Sequence, residues 1–133
     1  MNQNIFDGVE QNYIEIQAGM YDCKINYCVN YQQGNYDVIE FFVSYIDNGQ
    51  EKNISIKYIF SIKSKDKTMR ELLEVLYLKE QSIFNDKDLI SELYSNKDML
   101  FKYCKHLENT WLELRVDLNL KSDGSVYKSL RLN

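Results

Sequence analysis

Proline is absent from the 133 residues, and glycine occurs only five times. Without those residues no stretch reads as a flexible linker, a low-complexity tail or a collagen-like repeat. No apolar run approaches the ~18 residues that mark a membrane-spanning helix. The opening "MNQNIFDGVEQNYIEI" is acidic and polar, where a secretory leader has a basic start and an apolar middle. Cysteine occurs three times, at Cys23, Cys28 and Cys104. An odd number suits a reducing compartment better than a disulfide framework. His106 is the only histidine, and no glycine-rich phosphate loop or nucleophile elbow accompanies it. "NDKD" at Asn85–Asp88 lacks the glycine and the terminal glutamate of a calcium loop, and helix capping explains its carboxylates. These absences turn expectation away from catalysis, cofactors, metals and membranes, and towards an intracellular binding protein that is not an enzyme.

What is present is a divided charge. The chain carries 16 basic and 20 acidic residues, a formal net charge of −4. From Lys52 to Arg70, however, six bases (Lys52, Lys57, Lys63, Lys65, Lys67, Arg70) meet one acid, Asp66. Ten bases then face nineteen acids elsewhere, a net of −9. Residues 1–51 alone hold eight acids against Lys24, a net of −7. Such a chain repels DNA and anionic lipid overall, so nucleic-acid binding has to come from a local patch.

Apolar periodicity supplies the elements. An arm over residues 1–19 precedes a single domain over 20–133. From Ala18–Gly19 the residues Tyr21, Cys23, Ile25, Tyr27, Val29 and Tyr31 alternate with Asp22, Lys24, Asn26, Cys28 and Asn30, the period of a half-buried strand. On that alternation Cys23 and Cys28 face opposite ways and cannot share a metal ion. Tyr36 to Asp47 puts Ile39, Phe41, Val43 and Tyr45 on one face and Val38, Glu40, Phe42 and Ser44 on the other. "DNGQ" then predicts a hairpin, and Ile54, Ile56, Tyr58, Phe60 and Ile62 continue as a third strand.

The period changes at "TMRE", which fits a capping box from Thr68 to Glu71 ahead of a helix carrying Met69, Leu72, Leu73 and Leu76. Asp86 predicts the N-cap of a helix with Leu89, Ile90 and Leu93. Asn96 starts another through Met99, Leu100 and Tyr103. From Thr110 the period returns to two: Leu112, Leu114, Val116 and Leu118 oppose Trp111, Glu113, Arg115 and Asp117. After "KSDGS", Val126, Lys128, Leu130 and Leu132 alternate in the last strand. The order βββ–α(α)–ββ predicts a mainly β, five-stranded OB-like barrel with a helical insertion. An α+β open antiparallel sheet with helices on one face is the alternative.

Several segments also resemble a family of short bacteriophage proteins. They are "IFDG" at Ile5–Gly8, "IQAGMYDCKI" at Ile16–Ile25, "VIEFFVSYIDNGQEKNISIKYIFS" at Val38–Ser61, "RELLEVLYL" at Arg70–Leu78 and "LELRVDLNLKSDGSVYKSLRL" at Leu112–Leu132. Members of that family are encoded beside phage recombination and replication genes and are regarded as OB-fold single-stranded-DNA-binding proteins. The resemblance implies the same fold and activity here, in the cytoplasm of a bacterial host. The chain departs from many single-strand-binding proteins in having no acidic stretch after the last strand.

A DNA-binding barrel needs aromatic faces for bases and cations for phosphates. The stacking candidates are Phe42, Trp111 and Tyr127. The cationic candidates are Lys57, Lys63, Lys65, Lys67 and Arg70, joined by Arg115, Lys128 and Arg131 from the last hairpin. A single small barrel has a short footprint on DNA, which favours self-association. For any one of these aromatics the competing reading is a half-buried strand former, and for Lys63–Arg70 it is a solvated loop. The rival function is that of a phage-encoded inhibitor, an anti-CRISPR or other anti-defence factor, binding a host defence or replication protein through its acidic surface.

Overall fold

The computed structural model describes residues 16–133, apart from the side chain of Phe84. The expected arm thus falls almost wholly outside the described residues, as does the "IFDG" segment. Five strands follow the predicted order: β1 (Gly19–Gln33), β2 (Tyr36–Asp47), β3 (Gln50–Phe60), β4 (Trp111–Leu120) and β5 (Val126–Leu132). Between β3 and β4 lie α1 (Lys65–Lys79), a single 3-10 turn (Gln81–Asn85), α2 (Lys87–Ser95) and α3 (Lys97–Lys105). None of these helices is long and apolar enough to cross a membrane.

All strands belong to one antiparallel sheet in the order β3-β2-β1-β4-β5. This is the circuit of an OB-like barrel opened between β3 and β5, where no strand hydrogen bonds close it. Helix α1 spans the opening. Thr68 Oγ1 donates to the Ile59 carbonyl at 2.9 Å, and Arg131 on β5 holds Glu74 at 3.0 Å. A cavity of about 100 Å³ between Ile56–Ile59, α1 and Leu130–Leu132 marks the seam.

The core is built as alternation dictates. Ile39, Phe41, Val43 and Tyr45 from β2 pack with Ile54, Ile56 and Tyr58 from β3, Leu114 and Val116 from β4, and Met69, Leu72, Leu73 and Leu76 from α1. Each fully buried Leu, Ile, Val or Phe contributes ~1.5–3 kcal/mol relative to exposure. On β2 the opposite face is buried too, so Val38 to Tyr45 form an unbroken buried run. The hairpin turn at Asn48–Gly49 has positive φ at both residues (52° and 76°), which the Asn-Gly pair tolerates best.

Three local expectations are corrected. Helix α1 starts at Lys65, after Ser64, so Thr68 is not an N-cap; its hydroxyl serves the end of β3 instead. Ile62 does not extend β3: the strand ends at Phe60, and Ile62 is 98% exposed in the turn before α1. The third correction concerns β1. Its pairing with β2 shifts between Ile25 and Tyr27, an irregularity that places Asn26 as an extra residue. Before it, Cys23 and Ile25 point into the core; after it, Cys28 does, and Tyr27, Val29 and Tyr31 turn outward opposite Phe42, Glu40 and Val38. The straight alternation predicted the reverse. By contrast, Asp86 and Asn96 cap α2 and α3 as expected, accepting from Leu89 N–H at 3.0 Å and Met99 N–H at 3.1 Å.

Candidate nucleic-acid interface

The outward face of β1–β3 is ordered in rows by the registers. Tyr27 lies beside Phe42 and Ser55, Val29 beside Glu40 and Lys57, and Tyr31 beside Val38 and Ile59. Tyr27 stacks on Phe42 with ring centroids 4.7 Å apart and planes 18° from parallel. Phe42 is largely covered, while Tyr27 keeps 43% exposure. Above the stack, Asn26 Nδ2 donates to Ser44 Oγ at 2.7 Å, and Ser44 in turn donates to Asn53 Oδ1 at 2.8 Å. Below it, the Tyr31 hydroxyl donates to Glu40 Oε1 at 2.8 Å. Burial, that hydrogen bond and the Glu40 charge together push the Tyr31 hydroxyl up to about 12.

Lys57 continues this face to the edge of β3, where it lines the seam cavity together with Arg131 from β5. Arg131 lies opposite Arg115, which lies opposite Met20 on β1. A row of cations (Lys57, Arg131, Arg115) therefore runs across the seam. Two of the three are already engaged: Arg131 with Glu74, and Arg115 with Asp117 at 3.2 Å. Trp111 is 59% exposed at the start of β4, opposite Lys24. Tyr127 is exposed at the far hairpin, under the Lys121 ammonium at 5.5 Å. Lys128 sits opposite Leu118 with the inward parity of Leu130, so it does not join the outward row.

The other basic candidates collect elsewhere. Lys63 lies in the turn, and Lys65, Lys67 and Arg70 lie on the first turns of α1. Lys67 reaches Glu71 at 4.0 Å. Lys65 lines a cavity of about 410 Å³ walled by Tyr31, Phe60, Met69 and Leu100, with the Asp37–Lys97 ion pair beside it. The candidates thus divide into an outward-face set, a hairpin set and a helix-start set.

Tyr27, Tyr31 and Glu40 were missed as site residues. The bulge hides the two tyrosines, since running the alternation straight through Asn26 sends both rings into the core. The one available signal was Asn26 itself, a residue depleted from strands, midway along an unusually long run. Glu40 was legible as an acid on the second face of β2, but not its burial.

The bulge also revises the cysteines. Cys23 and Cys28 are both buried on the inward side, and Cys104 is buried with them. Burial pushes the Cys23 and Cys28 thiols up to about 12 and raises Cys104 as well. Among the described residues no three His, Cys, Asp or Glu side chains converge to hold a metal ion. His106 faces Glu80 across 3.4 Å at the surface. In comparisons with known proteins, no family model, no curated protein and no solved structure matches this chain.

Proposed function

We propose that this protein binds single-stranded DNA along the outward face of β1–β3 and across the β3/β5 seam, without catalysing a reaction on it. The observation that carries this reading is the exposed Tyr27 ring, backed by Phe42, with Lys57 two strands away in the next row of the same face. A ring braced by a second ring presents a preformed flat surface, and bases of any identity have a π-face to set against it. The cations Lys57, Arg131 and Arg115 would follow the phosphates, with Trp111 as a second stacking surface. The expected setting, from the resemblance in the sequence, is phage replication or recombination, with self-association lengthening the footprint.

The test is fluorescence anisotropy of a labelled mixed-sequence oligonucleotide at several salt concentrations. Three engaged cations give a slope of log K against log salt of about −2, at ~0.7 per neutralised phosphate on a single strand. Absence of binding at low salt, with the protein folded, overturns the reading.

The inhibitor reading draws less support. Of the five acids between residues 16 and 51, Asp37 pairs with Lys97, Asp47 pairs with Lys52, and Glu40 is buried. That leaves Asp22 and Glu51 as the acids of this segment free to form an acidic face.

A further inference from the structure

The end of the sheet away from the Asn-Gly hairpin is hollow. A cavity of about 410 Å³ lies there between the ends of β1, β2 and β3 and the helices α1, α2 and α3. That volume is of the size that takes a small organic molecule. Its floor is apolar: Ile39 from β2, Met69 from α1, Leu93 from α2 and Leu100 from α3, each at most 5% exposed. Two half-buried rings, Phe60 at the end of β3 and Tyr94 on α2, stand in its wall. Strands bound it on one side and helices on the other, which makes it a pit rather than an open groove.

The charge at its mouth does not balance. Lys97 pairs with Asp37 Oδ2, and Gln32 Nε2 donates to Asp37 Oδ1 at 3.4 Å, so both oxygens of that acid are engaged. Lys65 also lines the cavity and its charge acts on Asp37, yet it forms no ion pair among the described residues. Two cations against one acid leave +1 at the mouth of an apolar pit, in a chain whose formal net charge is −4. The surplus does not serve the helix. Lys65 is the first residue of α1, where the positive end of the helix dipole disfavours a cation.

We propose that this cavity binds a small aromatic carboxylate, with its ring in the pit against Phe60 and Tyr94 and its carboxylate at Lys65. The ring covers the apolar floor and meets the two wall rings, an aromatic contact that a plain chain does not make. The carboxylate supplies the charge that the mouth lacks. Ile39 and Phe60 belong to the core side of the sheet, whereas Tyr27 faces outward. The inference therefore stands apart from the single-stranded-DNA reading.

The probes are naphthoate and its uncharged counterpart naphthamide, titrated by calorimetry into the full chain at pH 7. Naphthoate is expected to bind with a Kd of ~1 mM or below, the range that a ligand of its size reaches. Naphthamide is expected to bind about 2- to 5-fold more weakly, the value of one partly exposed ion pair. Lys65→Gln is expected to remove that difference. Lys67→Gln, on the same turn of α1 but outside the cavity, is expected to keep it. Both lysines are exposed, so neither variant threatens the fold. With isotope-labelled methionine methyl groups, naphthoate is expected to shift the Met69 signal and to leave Met20, at the far end of β1, in place. Absence of saturable naphthoate binding overturns the proposal, and so do equal affinities for the two probes. An equal loss in Lys65→Gln and Lys67→Gln, or a Met20 signal that moves while Met69 stays, places the binding elsewhere and overturns it too.

Discussion

Tyr27 lies flat against Phe42 on the outward face, although Ile25, two residues earlier on the same strand, points into the core. The extra residue Asn26 makes both true at once. The two rings nevertheless differ in what their loss does. Tyr27→Ala removes an exposed platform and is expected to weaken oligonucleotide binding by ~1–3 kcal/mol, the value of one stacked base, with little change in Tm. Phe42→Ala removes a ring of which 9% is exposed, and buried Phe→Ala changes cost ~3–5 kcal/mol of stability. Paired binding and melting measurements on the two variants separate platform from support.

Deleting Asn26 tests the bulge. The register sets Ile25 against Val43 and Tyr27 against Phe42, so removing the extra residue joins them in an unbroken ladder that leaves Tyr27 and Tyr31 outward and Cys28 inward. The expected outcome is a folded protein that has lost the side-chain bond to Ser44 and the local twist of the bulge. Asn26→Ala keeps the extra residue and loses only the side-chain bond to Ser44. Urea midpoints are expected to fall by a similar amount in both variants, ~1 kcal/mol, whereas unfolding of the deletion variant runs against this register.

Acid weakens the tie between β2 and α3. The hydrogen bond from Lys97 holds the Asp37 carboxyl below its usual range, aided by Gln32 and by the Lys65 charge. A carboxyl depressed by folding stabilises the fold above its unfolded value, ~3.9, and that contribution is lost as pH falls through the lower, folded value. Lys97 is largely exposed, so the pair contributes only ~0.2–1 kcal/mol. Asp37→Asn is expected to match the wild type near pH 2 and to be less stable by that amount at pH 7, read from Tm at both pH values.

The thiols of Cys23, Cys28 and Cys104 are expected to resist alkylation. All three are buried, and burial raises each above the ordinary thiol range, leaving little of the thiolate that reacts. Iodoacetamide at pH 8 is expected to label them slowly in buffer and fast in urea. Rapid labelling of the native protein runs against this packing.

Local chemistry made much of the fold legible, and long-range geometry hid the rest. The Asn-Gly hairpin, the caps at Asp86 and Asn96 and the alternation of β4 act over a few residues, and each forms as the sequence indicates. Thr68 looked like a cap because Glu71 follows it, but its hydroxyl is taken by Ile59, a partner nine residues back. The basic window read as one feature along the chain. In space Lys57 stays on the sheet while Lys65, Lys67 and Arg70 leave with α1. Arg131 and Arg115 meet Lys57 only because the sheet curls until β5 approaches β3, which no run of neighbouring residues encodes.

The pairing of β1 with both β2 and β4 also bears on how the chain is made. Strand β2 follows β1 after a short turn, but Leu112 reaches Cys23 only about 90 residues later in synthesis. At ~5–20 residues per second, one edge of β1 waits roughly 5–18 seconds for its partner. During that interval the β1–β3 meander stands as a three-stranded sheet with two bare edges, and β4 closes one of them last. A cell expressing this protein therefore handles, for several seconds per molecule, an unfinished sheet whose open edge can pair with another chain as readily as with its own.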